Sequence, residues 1–173
     1  PSGVFENWLA EANGHHLFDC FNMYAVKNPD SVRMLLKKAN GIIISGGEDV
    51  YPGLYGKEND TLRCGIFDRR RDSLEQAMIK FAVFNKVPLL GVCRGHQIMN
   101  VTLKGSLIID IPEDTGSEYL HRDIRKANKN KSTKVKHKVK IEKGSYLYSI
   151  VKTEEGKVYS NHHQAVDDIA PAY

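Results

Sequence analysis

The residues able to do chemistry fall in three short stretches. In the first, "PLLGVCRGHQIMN" (88–100), an apolar run leads into Cys93, which stands between Gly91 and Gly95 where a polar helix begins. A thiol at a strand–turn–helix junction with small flanking residues follows the logic of a nucleophile elbow. The tight turn lifts the side chain clear of the sheet, and the helix N-terminus favours a thiolate. The backbone N–H of Arg94, next in the chain, then points at the same space. Cysteine is also a common packing residue, and Cys20 and Cys64 are read that way. The glycine bracket sets Cys93 apart as the nucleophile.

The second stretch, "ISGGEDVYPGLYG" (44–56), places Gly46 and Gly47 at the end of another apolar run. Paired glycines let the backbone turn and present an N–H to a ligand, although they also serve ordinary strand-to-loop turns. Combined with the Arg94 amide, such an N–H makes an oxyanion hole. The third stretch, "YSNHHQAVDDIAP" (159–171), holds His162, His163 and Gln164. Its paired histidines suit a base, a metal site or plain surface. No HxxxH or carboxylate spacing supports a metal, so none is expected.

These stretches need elements to hold them. "FENWLAEA" (5–12) predicts a helix and "HHLFDCFNM" (15–23) a loosely alternating strand. "PDSVRMLLKKA" (29–39) predicts a helix opened by Pro29 and Asp30, with Val32, Leu35 and Leu36 on one face. "GIIISGG" is a buried strand ending in two glycines. "RRRDSLEQAMIKFAVFN" (69–85) is a second helix, carrying Leu74, Met78, Phe81 and Ala82 at helical spacing. "VPLLGV" (87–92) is a further apolar strand, "GHQIMNVTLKG" (95–105) is helical, and "KVKIEK" (138–143) and "KVYSN" (157–161) read as short strands. Helices alternating with apolar strands imply an α/β domain with a mainly parallel sheet covered on both faces. Sites in such sheets form outside the carboxyl ends of the strands, where both "SGG" and "VCRG" lie.

Composition narrows the function classes. The 173 residues suffice for one domain, taken as 1–173. Apolar residues make up 41% and charged residues 27%, a globular composition. No apolar run approaches the roughly 20 residues of a membrane helix, and no membrane partner is expected. The opening "PSGVFENW" has neither a basic n-region nor an apolar core, so no secretory leader is expected. Three cysteines without CxxC spacing argue against a disulfide framework and for a reducing, cytoplasmic setting. The net charge of +4 is modest. Much of the excess lies in "HRDIRKANKNKSTKVKHKVK" (121–140), read as a solvated basic loop. Without interleaved aromatic residues or a known module, it gives no ground for a nucleic-acid partner.

Together, "SGGEDVYPGLYG", "GVCRGHQIMNVTLKGSLIIDI" and "SNHHQAVDDIAP", in that order, resemble the class I glutamine amidotransferase superfamily, in particular its γ-glutamyl-γ-aminobutyrate hydrolase-like branch, peptidase family C26. "FDRRRDSLEQ" and "HKVKIEKGSYLYSI" fit the same branch, so the likeness covers nearly the whole chain. It implies a flavodoxin-like α/β sandwich and cofactor-free hydrolysis of small-molecule γ-glutamyl amides through a cysteine thioester. The implied roles fall on Cys93 as nucleophile, on Gly46, Gly47 and the Arg94 amide as oxyanion hole, and on Gln97 as a holder of the glutamyl end. His162, His163 and Gln164 fall near the substrate, with His162 ranked first and expected to face Cys93 without serving as its base. The family takes that base from a His-Pro-Glu motif near the C-terminus, and no such tripeptide occurs here. The domain is therefore expected to be cut short at both ends. A glutaminase subunit feeding ammonia to a synthase partner, and a non-catalytic binding protein on the same fold, are the alternatives; a homodimer is also compatible with the likeness.

Overall fold

A computed structural model describes residues 7–9, 11, 19–116 and 135–171. The element that organises the site is a β–α–β unit. Three consecutive β-branched residues form β1 (Ile42–Ile44), which pairs in parallel with β2 (Leu89–Gly91) in the register Ile42↔Leu89, Ile43↔Leu90 and Ile44↔Gly91. The parallel neighbours expected from "GIIIS" and "PLLGV" are thus found, with their carboxyl ends side by side.

Before β1 runs α1 (Pro29–Lys38). Asn28 caps it by accepting from the Asp30 and Ser31 amides, and Pro29 takes the first turn, where its missing N–H is harmless. The crossover is α2 (Arg69–Asn85), capped by Asp68 and stopped by Lys86 in a left-handed conformation, φ 56°. After β2, α3 (Arg94–Thr102) packs back over the strand pair. That packing is tight: a Cβ on Gly95 would lie 1.9 Å from the Ile44 carbonyl oxygen. No side chain fits there, and the absence of one lets the helix start directly above the strand ends. The core beneath consists of Leu36, Ile42, Ile44, Val50, Met78, Ile79, Ala82, Ile98, Val101 and Leu107.

Beyond α3 follow β3 (Leu107–Ile108), α4 (Ile111–Thr115), β4 (Val135–Lys140), α5 (Tyr146–Val151), β5 (Glu155–Ser160) and β6 (Ala165–Val166). β4 pairs antiparallel with β5, and β3 antiparallel with β6. The Asn100 side chain joins this C-terminal part to α3. It donates to the Ser106 and Asp168 carbonyls, 2.9 Å each, and accepts from the Ala170 amide at 2.8 Å.

Several expectations need adjusting. The fold is α/β with a parallel pair at its centre, but the other two strand pairs described are antiparallel. Leu90 is 45% exposed, so β2 is less enclosed than its apolar run suggests. The strand expected over 138–143 lies at 135–140, because pairing with β5 sets its register and a turn follows at 142–145. In the stretch 15–23, residues 15–18 lie outside the described residues; 19–22 are irregular and Met23–Ala25 form a short 3-10 turn. Of the expected first helix, residues 7–9 and 11 are described and helical. In the basic segment, 121–134 lies outside the described residues, while Lys136, Lys138 and Lys140 are exposed on β4. Among the described residues no helix is long and apolar enough to cross a membrane.

Candidate active site

Cys93 stands between β2 and α3 with φ 55° and ψ −115°. That conformation is unfavourable for any residue with a Cβ, by about 1–3 kcal/mol. It is imposed from both sides. The Val92 N–H still donates to the Ile44 carbonyl (2.9 Å), continuing the ladder, while the Cys93 carbonyl already accepts from the amides of His96 (3.0 Å) and Gln97 (3.3 Å), opening the helix. The chain must reverse direction within one residue. The thiol is consequently exposed and makes no hydrogen bond among the described residues. The Arg94 N–H heads the helix, where no intrahelical acceptor exists.

The glycine turn lies alongside. A Cβ on Gly46 would be 3.4 Å from Cys93 Cβ and 3.8 Å from its Sγ, so the turn and the elbow touch. Gly47, with φ 154°, has its back against Arg71: a Cβ there would sit 2.2 Å from Nη1. Arg71 Nη2 donates to the carbonyls of Ser45 and Gly46, 3.1 Å each, and Nε donates to Glu75 Oε1 at 2.7 Å.

Glu75 also pairs with the guanidinium of Arg94, as does Asp72, whose second oxygen accepts from the Tyr51 amide at 3.2 Å. The Arg94 side chain is only 2% exposed. It therefore turns into the protein, where Asp72 and Glu75 receive it. Burial pushes the Asp72 carboxyl upward despite the adjacent Arg94 charge. This cluster was not recognised from sequence, although a signal exists. Asp72, Glu75, Ile79 and Ala82 share one buried face of α2, so two carboxylates occupy positions where apolar residues belong.

The histidine motif forms a separate group. Gln97 Nε2 donates to the Gln164 carbonyl (3.2 Å), which His162 Nδ1 also meets at 2.8 Å. His162 further stacks edge-on with His137, centroids 6.5 Å apart. His163 lies between two carboxylates, Nε2 at 2.8 Å from Asp49 and Nδ1 at 3.2 Å from Asp110. Both ring nitrogens are so engaged, and its position is that of a strut between the loop after β1 and the start of α4. The Gln164 side chain is buried, with Nε2 3.4 Å from the Cys64 sulfur. Asp49, Asp110 and Cys64, unremarkable in sequence, are the partners that hold the motif.

Burial, reinforced by the neighbouring Asp49 charge, pushes the Cys64 thiol up to about 12. Burial would also raise Asp49, but hydrogen bonds from His163 and the Gly65 amide outweigh it and hold the carboxyl below its usual value. The sign follows. A depressed folded value contributes stability that is fully present above the unfolded value, about 3.9, and that is lost as pH falls through the folded value. Asp49→Asn is expected to be less stable than the parent at pH 7 and to lose less further stability between pH 4 and 2. Urea melts at the three pH values check this. Parallel stability–pH curves for the two proteins would contradict it.

An open α/β core with a cysteine elbow beside a glycine turn, at the carboxyl ends of parallel strands, is the architecture of the class I glutamine amidotransferases. Comparison agrees. Residues 20–173 match the family model of peptidase C26, and the chain belongs to that family. It is 38% identical over 127 residues to a Schizosaccharomyces pombe protein, PB2B2.05, provisionally named a glutamine amidotransferase, covering 73% of this chain and 47% of that protein. It is 30% identical over 151 residues to the γ-glutamyl-γ-aminobutyrate hydrolase PuuD of Escherichia coli K12, covering 86% and 58%. With protein NtpR of Enterococcus hirae it shares 28% identity over 172 residues, covering 99% and 67%. The chain spans about half the length of the first two relatives.

Proposed function

We propose that this domain hydrolyses γ-glutamyl amides through a thioester on Cys93. The observation that carries the reading is the strained backbone of an exposed cysteine at a helix N-terminus, with the Gly46–Gly47 turn against it. Strain of that kind persists where a geometry serves a task. In the reaction, Sγ bonds to the γ-carbonyl carbon, the C–N bond breaks, and the amine departs with the proton given up by the thiol. Water then adds to the thioester, its proton returns to sulfur, and glutamate leaves. The amides of Gly47 and Arg94 take the negative charge that develops on the carbonyl oxygen in both steps, each donor contributing roughly 3–4 kcal/mol. Gln97 and His162, which meet at the Gln164 carbonyl, are assigned to the glutamyl end, and His163 and Gln164 hold that segment through Asp49, Asp110 and Cys64.

A glutaminase that passes ammonia to a synthase shares all of these steps and differs in the leaving group, and the name given to the S. pombe relative favours it. The test uses the protein at the length its gene encodes. Limiting iodoacetamide, followed by peptide mass spectrometry, is expected to label Cys93 ahead of Cys20, with Cys64 last because its thiol is held protonated. Release of glutamate from γ-glutamyl amines should fall in proportion to that label. Faster labelling of Cys20 or Cys64, or turnover that survives full modification of Cys93, would remove the proposal. Ammonia released from glutamine but no amine from γ-glutamyl amines would move it to the glutaminase.

A further inference from the structure

We propose that Arg71 is a positioning residue for the oxyanion hole: by holding two carbonyls of the Ser45–Gly47 turn, and by sharing Glu75 with Arg94, it aims the Gly47 amide and keeps it in register with the elbow. The inference rests on the oxyanion role given above to Gly47 and Arg94, and it adds what fixes them.

A trans peptide is planar, with its C=O and N–H directed oppositely. The Gly46 carbonyl is drawn to Arg71 Nη2 at 3.1 Å, so the N–H of Gly47 on the same plane is turned away from the guanidinium. The Ser45 carbonyl, also at 3.1 Å from Nη2, fixes the preceding plane in the same way. A paired-glycine turn has two freely rotating planes on its own; here one fork-shaped side chain stops both. Lysine, a point charge on a flexible stem, lacks a rigid fork for two carbonyls and a carboxylate together. Glu75 completes the link, since one carboxylate accepts from Arg71 Nε and from the Arg94 guanidinium. The two amides thus belong to segments braced by the same buried carboxylate. Arg71 lies behind Gly47 and touches no reacting atom in this scheme.

The experiment compares Arg71→Ala, Arg71→Lys and Glu75→Gln with the parent, all at the length the gene encodes. For Arg71→Ala, kcat on a γ-glutamyl anilide is expected to fall about 10²-fold, the effect typical of losing one oxyanion donor. KM should stay within about threefold, and so should the rate of Cys93 alkylation by iodoacetamide, because displacement at an sp³ carbon forms no oxyanion. Arg71→Lys should recover part of the loss. Glu75→Gln, which keeps an acceptor for Nε, should show a smaller loss, and it supplies the answer if Arg71→Ala does not fold. An unchanged kcat, or equal losses in kcat, alkylation and thermal midpoint, would overturn the inference. If the parent protein turns over no γ-glutamyl amide, the proposed function fails, and the crystal structure of Arg71→Ala then decides separately. A Gly46–Gly47 peptide plane left in place refutes the positioning role; a rotated plane supports it.

Discussion

Replacing Cys93 by glycine is expected to give a protein that is inactive and more stable. Turnover should fall by at least about 10⁴-fold, as for other nucleophile deletions. Glycine accepts φ near 55° without a Cβ clash, so it releases the 1–3 kcal/mol of backbone strain estimated for such positions, against roughly 0.5–1 kcal/mol of extra chain entropy in the unfolded state. A net gain of about 1 kcal/mol follows. Cys93→Ala separates the two effects: it removes the thiol but keeps the Cβ, so it should be inactive with near-parental stability. Chemical denaturation of the three proteins, with activity assays alongside, gives the comparison. A glycine variant less stable than the alanine variant would show that the elbow stores no strain.

The largest loss of stability is expected at the other face of the same turn. Arg94→Met leaves Asp72 and Glu75 buried without the cation between them. Breaking a buried pair from one side costs about 3–5 kcal/mol, mostly the desolvation of the charge left behind. Two signatures separate this from simple loss of packing. The deficit should shrink as pH is lowered, because Asp72, left without a cation while Glu75 keeps Arg71, neutralises and the native state then binds protons more readily than the unfolded one. Adding Asp72→Asn to Arg94→Met should recover stability rather than lose more, since one uncompensated charge disappears. Urea unfolding of the single and double variants between pH 7 and 4 tests both. A deficit independent of pH, together with additive losses in the double variant, would mean that Arg94 acts through its volume alone.

The meeting of the glycine turn with Cys93 at the ends of two paired strands was legible in the sequence. Cys93, Gly46 and Gly47 stand out because an apolar strand running into small residues has few structural explanations, and the parallel pairing of β1 with β2 follows from two apolar runs separated by a helix. What supports them was harder to read. Asp72 and Glu75 sit in a helix whose charges look like an ordinary solvated surface, and only the partner Arg94, nineteen or more residues away, makes their burial acceptable. His163 was placed near substrate, and the structure shows it engaged by Asp49 and Asp110, contacts that link parts of the chain 114 and 53 positions apart. Pairings of that range leave no periodicity. Asn100 went unnoticed for the same reason, since its worth lies in three backbone groups far along the chain or beyond a turn.

The location of the clamp has a consequence for how the domain opens. The elbow, the glycine turn and the residues that brace them all fall between β1 and α3, in one contiguous stretch, whereas the histidine motif arrives from the far end of the chain and docks through Asn100, Gln97 and Asp49. Regions of a protein exchange their amide hydrogens in cooperative blocks that tend to follow such contiguous motifs. Cys93 and the glycine turn beside it therefore ride on a single block. Partial opening that releases the C-terminal segment detaches the histidine motif and leaves the cysteine elbow assembled. Alkylation of the exposed Cys93 thiol then requires no opening at all, and it should persist unchanged through excursions that free only the segment that follows β5.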